Sequence, residues 1–348
     1  MTTAPLPGAA IRAALVAIVD QHRDLTEDEA AACMEEIMGE GASPAQFGAL
    51  MTALRMKGET VDELTGMARV MRAHALRVEV SARPLLDTCG TGGDGLHTFN
   101  ASTASAFVVA AAGGKVAKHG NRAASSQSGS ADVLEALGAT IALTPEQVAS
   151  CIETTGVGFM FAQAYHPAMR FAGPLRRELG VRTVFNLLGP LTNPADAHCR
   201  VFGVPDKAIA EKVASLVARL GLRHALVVTG DEGLDEISVS GPTTAFEVRG
   251  AEVSQRQITP SELGLKTHNI NDVAGGTPQE NATTMRKIFT GEGPEAVRDF
   301  VAANAGAGLY VLGLASSIRQ GVEQAKQVME NGDAAVRLGA FVEATRRA

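Results

Sequence analysis

DTCGTGGDGLHTFNASTASAFVVAAAGGKVAKHGNRAASSQSGSADVLEALG, residues 87 to 138, decides how the rest of the chain is read. Leu85 and Leu86 lead into Gly90-Thr91-Gly92-Gly93-Asp94-Gly95, and Asn100 then precedes Ser102, Thr103 and the apolar run 104 to 112. That order predicts strand, glycine turn, helix. Glycines let backbone N–H groups close on phosphate oxygens, and the first turn of a helix offers unpaired donors and a positive dipole end to the same charge. Asn100 reads as the N-cap of this helix, with Ser102 and Thr103 adding hydroxyls. A second strand at 115 to 118 runs into His119-Gly120-Asn121-Arg122 and the small polar residues 123 to 130. A further helix at 132 to 137 ends at Gly138.

A flexible glycine-serine loop accounts for one such cluster. Here Gly, Ser, Thr, Asn, Lys and Arg recur at the ends of successive strands, where open α/β sheets place their ligands. Gly90, Gly92 and Gly95 satisfy the dinucleotide fingerprint G-x-G-x-x-G, but that fold needs an acid about 20 residues on, at the next strand end. Lys118 and His119 stand there instead. Asp94, inside the turn, repels a bare pyrophosphate unless a cation intervenes, so the loop suits a metal-complexed phosphate better than a nicotinamide dinucleotide.

The 348 residues exceed the usual size of one domain and predict two. At 45% hydrophobic and 20% charged residues the composition is that of an ordinary soluble protein. A net charge of −7 with no basic block argues against nucleic acid as a partner. Cys33, Cys89, Cys151 and Cys199 are widely spaced without C-x-x-C, which predicts reduced thiols of a cytoplasmic protein and neither zinc nor disulfides. No secretory leader and no membrane-spanning apolar run are read in the chain.

Thr26 with Glu29, Ser43 with Gln46 and Thr60 with Glu63 are three successive capping boxes, and Pro44 sits at a favoured first helical position. Apolar residues recur at helical spacing after them, so residues 1 to 80 are expected to form a small helical bundle domain. Ser81-Ala82-Arg83-Pro84 then hands over to alternating strands and helices, which predicts an α/β domain with a mainly parallel sheet over 81 to 348. Helices are expected from Thr144 and Thr277 and over 208 to 220, strands over 157 to 161 and 225 to 228, and a single amphipathic helix over 320 to 348. Asp235 and Glu236 follow Gly230-Asp231-Glu232-Gly233 past the end of a buried strand. Adjacent carboxylates are ordinarily just solvated; in this setting they fit Mg²⁺, which takes one or two carboxylates plus phosphates and water.

GTGGDG, TFNAST, AKHGNRAASS and SGSAD, followed by YHPAMRFAGPLRRELGVRTVFNLLGPLTNP at 165 to 194 and LDEIS at 234 to 238, resemble in this order the anthranilate phosphoribosyltransferases. The resemblance covers nearly the whole chain. It implies a nucleoside phosphorylase/phosphoribosyltransferase type of fold, with the helical domain completed by a segment near 167 to 195. It implies transfer of the phosphoribosyl group of 5-phosphoribosyl 1-pyrophosphate to the amine of anthranilate, within tryptophan biosynthesis. For the donor it implies Gly90, Gly93, Asp94, Thr98, Asn100, Ala101, Ser102, Thr103, Lys118, His119, Gly120, Asn121, Arg122, Ala123, Ala124, Ser125, Ser126 and Ser130. For anthranilate it implies Gly90, Asn121 and Arg176. Two Mg²⁺ ions per subunit are implied, Asp235 and Glu236 holding one and Glu236 with Ser102 the other, in a homodimer formed through the helical domain.

The nucleophile is then an aniline, uncharged at neutral pH, so no residue is assigned as general acid or base. The planar guanidinium of Arg176 suits a carboxylate, which it can grip with two parallel bonds; Arg177 is read as an exposed helix residue and His166 as structural. Gln127 and Gly114 depart from the commonest family pattern without touching a residue given a role. Three other readings stay open: a pyrimidine nucleoside phosphorylase, which leaves Asp235 and Glu236 unexplained, a nucleic-acid-binding relative, which needs a basic groove, and a dinucleotide oxidoreductase, which lacks the acid at the second strand end.

Overall fold

Short buried runs, four of the five closing on glycine, become parallel strands. In the computed structural model, which describes residues 8 to 123 and 126 to 348, they are β1 (Leu86–Gly90), β2 (Val116–Gly120), β3 (Val157–Phe161), β4 (Cys199–Gly203) and β5 (His224–Gly230). Two antiparallel strands, β6 (Thr243–Arg249) and β7 (Glu252–Ile258), complete a seven-stranded sheet in the order β3-β2-β1-β4-β5-β6-β7. From β1 the chain winds outward through β2 to β3, then returns to lay β4 on the other side of β1 and winds outward again to β5. The β1/β4 boundary is therefore the switch point, and right-handed crossovers place the helix between β1 and β2 on the opposite face from the helix between β4 and β5. Gly90 and Gly203 lie side by side across that boundary.

The strand expected at 115 to 118 runs two residues further, to Gly120, and that expected at 225 to 228 extends over His224–Gly230. β6 and β7 lack an apolar signature that marks both. β7, Glu-Val-Ser-Gln-Arg-Gln-Ile, is exposed at six of its seven positions, as an edge strand with charged side chains is. The single C-terminal helix expected over 320 to 348 is two, Ile318–Glu330 and Asp333–Arg347, broken at Asn331-Gly332, where Gly332 takes a φ of 85°. The core of this part is the sheet packed against helices Ala101–Ala111, Glu295–Leu312 and Asp333–Arg347, with Phe107 edge-on to Phe289 and Phe341.

The chain divides into two compact units, one of residues 1 to 76 with 163 to 192 and one of 77 to 162 with 193 to 348. Within the described residues the first unit is helical. Each of its three capping boxes forms as the spacing requires, the side chains of Thr26, Ser43 and Thr60 accepting from the third residue of helices Glu27–Met38, Pro44–Lys57 and Val61–Ala73. Its interior joins the two sequence segments: Phe47 stacks on Phe185 at 6.1 Å between centroids and meets Phe171 edge-on at 6.4 Å.

Candidate functional site

The second unit gathers its chemistry at the carboxyl ends of β1 and β2 and in the turn after β5. Lys118, near the end of β2, is buried, and its ammonium donates to the carbonyl oxygen of Thr88 and to Ser102 Oγ at 3.3 Å. Burial lowers its pKa, an effect opposed by the neighbouring charge of Asp87. Asp87 is itself buried, directly across the strand boundary from buried Arg200. Its carboxylate accepts from Asn193 Nδ2 at 2.7 Å and from the His119 N–H at 3.2 Å. Lys118, Asp87 and Arg200 are thus three buried ionisable groups within the sheet, and burial raises the Asp87 pKa.

Of these charges Lys118 is the one that acts on Glu236, which it favours in its ionised form. Gly92 N donates to Asp235 Oδ2 at 2.7 Å, and Ser102 N donates to Glu236 Oε1 at 3.1 Å. Each carboxylate thus takes a backbone donor, one from the glycine turn and one from the helix start. Asn100 occupies the N-cap position of helix Ala101–Ala111 but makes no side-chain cap, so it is Glu236 Oε1 that accepts from an N–H at this helix start. Burial, then repulsion from Asp94, pushes the Asp235 pKa up to about 6, and burial followed by Asp235 pushes Glu236 up to about 8.

Glycines make the close approach of this turn possible. A Cβ on Gly203 would come within 1.5 Å of the Asp235 carbonyl oxygen, and one on Gly90 within 2.3 Å of Asp235 Oδ2. From the other side, Asn304 of helix Glu295–Leu312 grips both backbone polar groups of Ile237, accepting from its N–H at 2.9 Å and donating to its carbonyl at 3.2 Å. The acids border a crevice of about 10 Å³, also lined by Thr88, Ser102 and Gly203. That is room for about one water, so a phosphorylated ligand must lie outside it.

Oxygen-only donors whose ionisation is held back by burial and mutual repulsion fit a hard cation, which would favour their charged forms. Among the described residues no three His, Cys, Asp or Glu side chains are grouped as a metal cage. Mg²⁺ suits such an incomplete set, since it draws its remaining ligands from phosphates and water.

The other expected positions fall around this centre. Gly93 has a φ of 78°, and Asp94 Oδ1 accepts from Leu96 N at 3.1 Å. Thr98 pairs with Ala274, and Thr103 Oγ1 donates to Ser130 Oγ at 2.9 Å. Gly120 closes β2 where a Cβ would meet the Phe159 ring at 2.8 Å. Asn121 Oδ1 accepts from Arg122 N at 2.8 Å. Arg122 pairs with Asp132 and Glu135, its guanidinium 5.6 Å from the Phe161 centroid, and so is engaged by protein acids. Asp132 Oδ2 accepts from both Ala123 N and Gly129 N at 2.9 Å, tying the two ends of the serine-rich loop together. Ser126 is exposed, its hydroxyl 3.5 Å from the Ser128 carbonyl oxygen. Ala124 and Ser125 lie outside the described residues.

Arg176 belongs to the helical unit, on helix Met169–Leu179. Its guanidinium lies 5.1 Å from the Phe185 centroid, and burial lowers its pKa, whereas Arg177 is exposed. His166 is buried, and burial pulls its pKa down to about 4. Sequence reasoning missed Asp87, Asn193, Arg200, Asn281 and Asn304, whose partners lie far along the chain. A charged residue inside each of two otherwise apolar strands, Asp87 and Arg200, was the only local signal for any of them.

Comparison with known proteins covers both units. Residues 12 to 75 match the helical bundle domain of the glycosyl transferase family, and residues 82 to 335 match its a/b domain. The anthranilate phosphoribosyltransferase of Roseiflexus sp. (strain RS-1) is 52% identical over 97% of this chain and 98% of its own length. That of Chloroflexus aurantiacus is 51% identical over 97% and 99%. Among solved structures, anthranilate phosphoribosyltransferase (TrpD) from Thermus thermophilus superposes with a TM-score of 0.91 at 44% identity, over 97% of this chain and 99% of the other. The enzyme from Saccharomyces cerevisiae in complex with PRPP and Mg gives 0.90 at 25% identity, over 98% and 99%.

Proposed function

The chain belongs to the anthranilate phosphoribosyltransferase family, and from that membership we propose how its residues divide the work. The enzyme transfers the phosphoribosyl group of 5-phosphoribosyl 1-pyrophosphate to the amine of anthranilate, giving N-(5-phosphoribosyl)anthranilate and pyrophosphate in tryptophan biosynthesis. The bond from the anomeric carbon to the pyrophosphate oxygen breaks, a bond to nitrogen forms, and one amine proton is lost. Positive charge grows on the ribose as negative charge leaves with pyrophosphate, so preorganised donors at the leaving group are the largest available catalytic factor.

The observation that carries the assignment of roles is the Asp235-Glu236 pair, fixed at the switch point to the N–H groups of Gly92 and Ser102. In our reading Asp235, Glu236 and Ser102 hold Mg²⁺, which shields the charge of the donor's phosphates. Two ions per subunit fit a pair of carboxylates of which Glu236 is shared. The glycine turn from Gly90 to Asp94, Thr98, the helix start from Asn100 to Thr103, Lys118, and the 119 to 126 loop with Ser130 receive the donor. Lys118 adds a fixed positive charge that its buried contacts keep from swinging away. Arg176, in the helical unit, receives the anthranilate carboxylate, with Gly90 and Asn121 as further contacts; the Phe185 ring, 5.1 Å from its guanidinium carbon, gives the cation a π face to rest on. Holding the amine opposite the leaving group contributes several kcal/mol by orientation alone.

We infer a homodimer through the helical unit, supported by the exposed apolar side chains of Val16, Val19 and Met56 (46%, 54% and 83% exposed). A cytoplasmic location accords with four buried cysteines that are all free thiols. No helix among the described residues is long and apolar enough to cross a membrane.

The test is the Asp235→Ala/Glu236→Ala double variant, assayed by fluorescence of phosphoribosyl-anthranilate across a Mg²⁺ titration. Turnover should fall below a tenth of wild type with an unchanged circular dichroism spectrum. More than a tenth remaining, a loss under about 1.4 kcal/mol, means the acids do not form the metal site.

A further inference from the structure

Asn100 stands at the centre of a side-chain network that joins three separate pieces of chain. Its Nδ2 donates to the Ser128 carbonyl oxygen at 2.9 Å, and its Oδ1 accepts from Ser128 Oγ at 3.2 Å. A third bond comes from far along the sequence: Asn281 Nδ2 donates to Asn100 Oδ1 at 2.9 Å. An amide oxygen has two acceptor sites and an amide nitrogen two hydrogens, so these bonds fill the oxygen and leave Asn100 one N–H. Which way that amide faces is decided by its partners.

Asn281 is well placed to decide it. It is buried, lies in the first turn of helix Pro278–Ile288, and its own Oδ1 accepts from Gly276 N at 2.8 Å, which fixes its Nδ2 toward Asn100. The segment just before that helix is bonded to the glycine turn's far end. Phe99 N donates to the Val273 carbonyl oxygen at 2.8 Å, and Gly275 N to that of His97 at 2.8 Å. A Cβ on Gly275 would meet the Thr98 carbonyl oxygen at 2.7 Å, so the two segments touch backbone to backbone.

We propose that Asn281 is a positioning residue for the phosphoribosyl donor: through Asn100 it sets the orientation of the loop at 126 to 130 relative to the start of helix Ala101–Ala111. It acts on the donor and not on the reacting amine, because Asn100, which it bonds, and Ser126 and Ser130 at the two ends of that loop are assigned to the donor. The proposal rests on that assignment. Removing the Asn281 donor leaves Asn100 Oδ1 with Ser128 Oγ alone and frees the amide to turn over.

The experiment compares four variants by steady-state kinetics and by thermal unfolding with and without 5-phosphoribosyl 1-pyrophosphate and Mg²⁺. Asn281→Asp keeps the shape, removes the N–H and sets a carboxylate against Asn100 Oδ1. It should raise the donor KM about tenfold, the loss of one buried hydrogen bond, and shrink the unfolding shift given by the donor. The KM for anthranilate and kcat at saturating donor should stay within twofold. Asn281→Ser, which does not introduce a charge, serves if the aspartate variant does not fold and should move the same constants the same way. Arg286→Ala, on the same helix, loses a bond to the Leu137 carbonyl and should lower the melting temperature without changing the donor KM. If the Asn281 variants behave like Arg286→Ala, or raise both KM values equally, Asn281 only packs the helix and the proposal fails. Asn100→Ala separates that failure from a wrong site: a donor KM unaffected by Asn100→Ala overturns the assignment of this surface to the donor.

Discussion

Replacing Gly203 by alanine adds one methyl group at the point where β4 passes under the Asp235 turn. The new Cβ would sit 1.5 Å from the Asp235 carbonyl oxygen and 2.4 Å from its carbonyl carbon, against a closest approach for real Cβ atoms of about 3.0 Å. Both obstructing atoms are backbone, and Gly203 is held in register by Gly90 on one side and Val228 on the other, so the turn yields first. It has to move by about 1.5 Å, carrying Asp235 and Glu236 with it. A misplacement of about 1 Å costs on the order of a hundredfold in rate, so kcat/KM should fall at least about a hundredfold, about 2.7 kcal/mol of transition-state stabilisation. The Mg²⁺ concentration for half-maximal activity should rise in parallel. Overpacking also costs about 1 to 3 kcal/mol of stability, so activity is read well below the variant's melting transition. Gly339→Ala, where a Cβ meets nothing within 4 Å, is the control and should change neither constant. A Gly203→Ala enzyme within tenfold of wild type at ordinary Mg²⁺ would show that the acid turn tolerates displacement and refute the reasoning.

Two further outcomes test other parts of the molecule. Arg176→Lys keeps the charge but loses the planar fork, so kcat/KM for anthranilate should drop about tenfold to a hundredfold, the loss of a charge-assisted hydrogen bond, while the donor KM moves little. Equal impairment with aniline, which lacks the carboxylate, would assign Arg176 to structure instead. His166 is held at a pKa of about 4, below the 6.5 of a free histidine, so the unfolded chain binds its proton more tightly. Its contribution to stability is complete above pH 6.5 and is lost as the pH falls toward 4, amounting to about 2 kcal/mol by pH 5. His166→Asn should flatten the urea midpoint between pH 7.5 and 5; an unchanged slope would deny the linkage.

Features fixed by neighbours in sequence were legible. The capping boxes declare themselves within four residues, and the glycine-ended strands within five. Contacts between distant segments were not. Asn100 was read as a helix cap because that is what an asparagine does locally, yet its partners are 28 and 181 positions away and leave the cap to Glu236. The family resemblance implies Arg122 as a donor ligand; its ion pairs with Asp132 and Glu135, three apart on one helix, follow from a spacing that was there to be noticed. β7 escaped because an edge strand exposed along its length has no alternation of apolar and polar residues to read. The break at Asn331-Gly332 had its signal in plain view, a dipeptide that favours positive φ, overridden by the amphipathic run on both sides.

The interior of the helical unit has a consequence for how the chain is made. Phe47 emerges from the ribosome early, but two of the rings it packs against, Phe171 and Phe185, belong to the segment that ends at 192. At about 5 to 20 residues per second, synthesis from residue 76 to 192 takes about 6 to 23 s. During that interval strands β1 to β3 have been produced, while the bundle that precedes them still lacks the helices that close it. A fragment cut at residue 76, though it contains every residue matched by the helical bundle domain, would carry Phe47 uncovered on that face. The nascent protein is therefore expected to depend on holdase protection in that window.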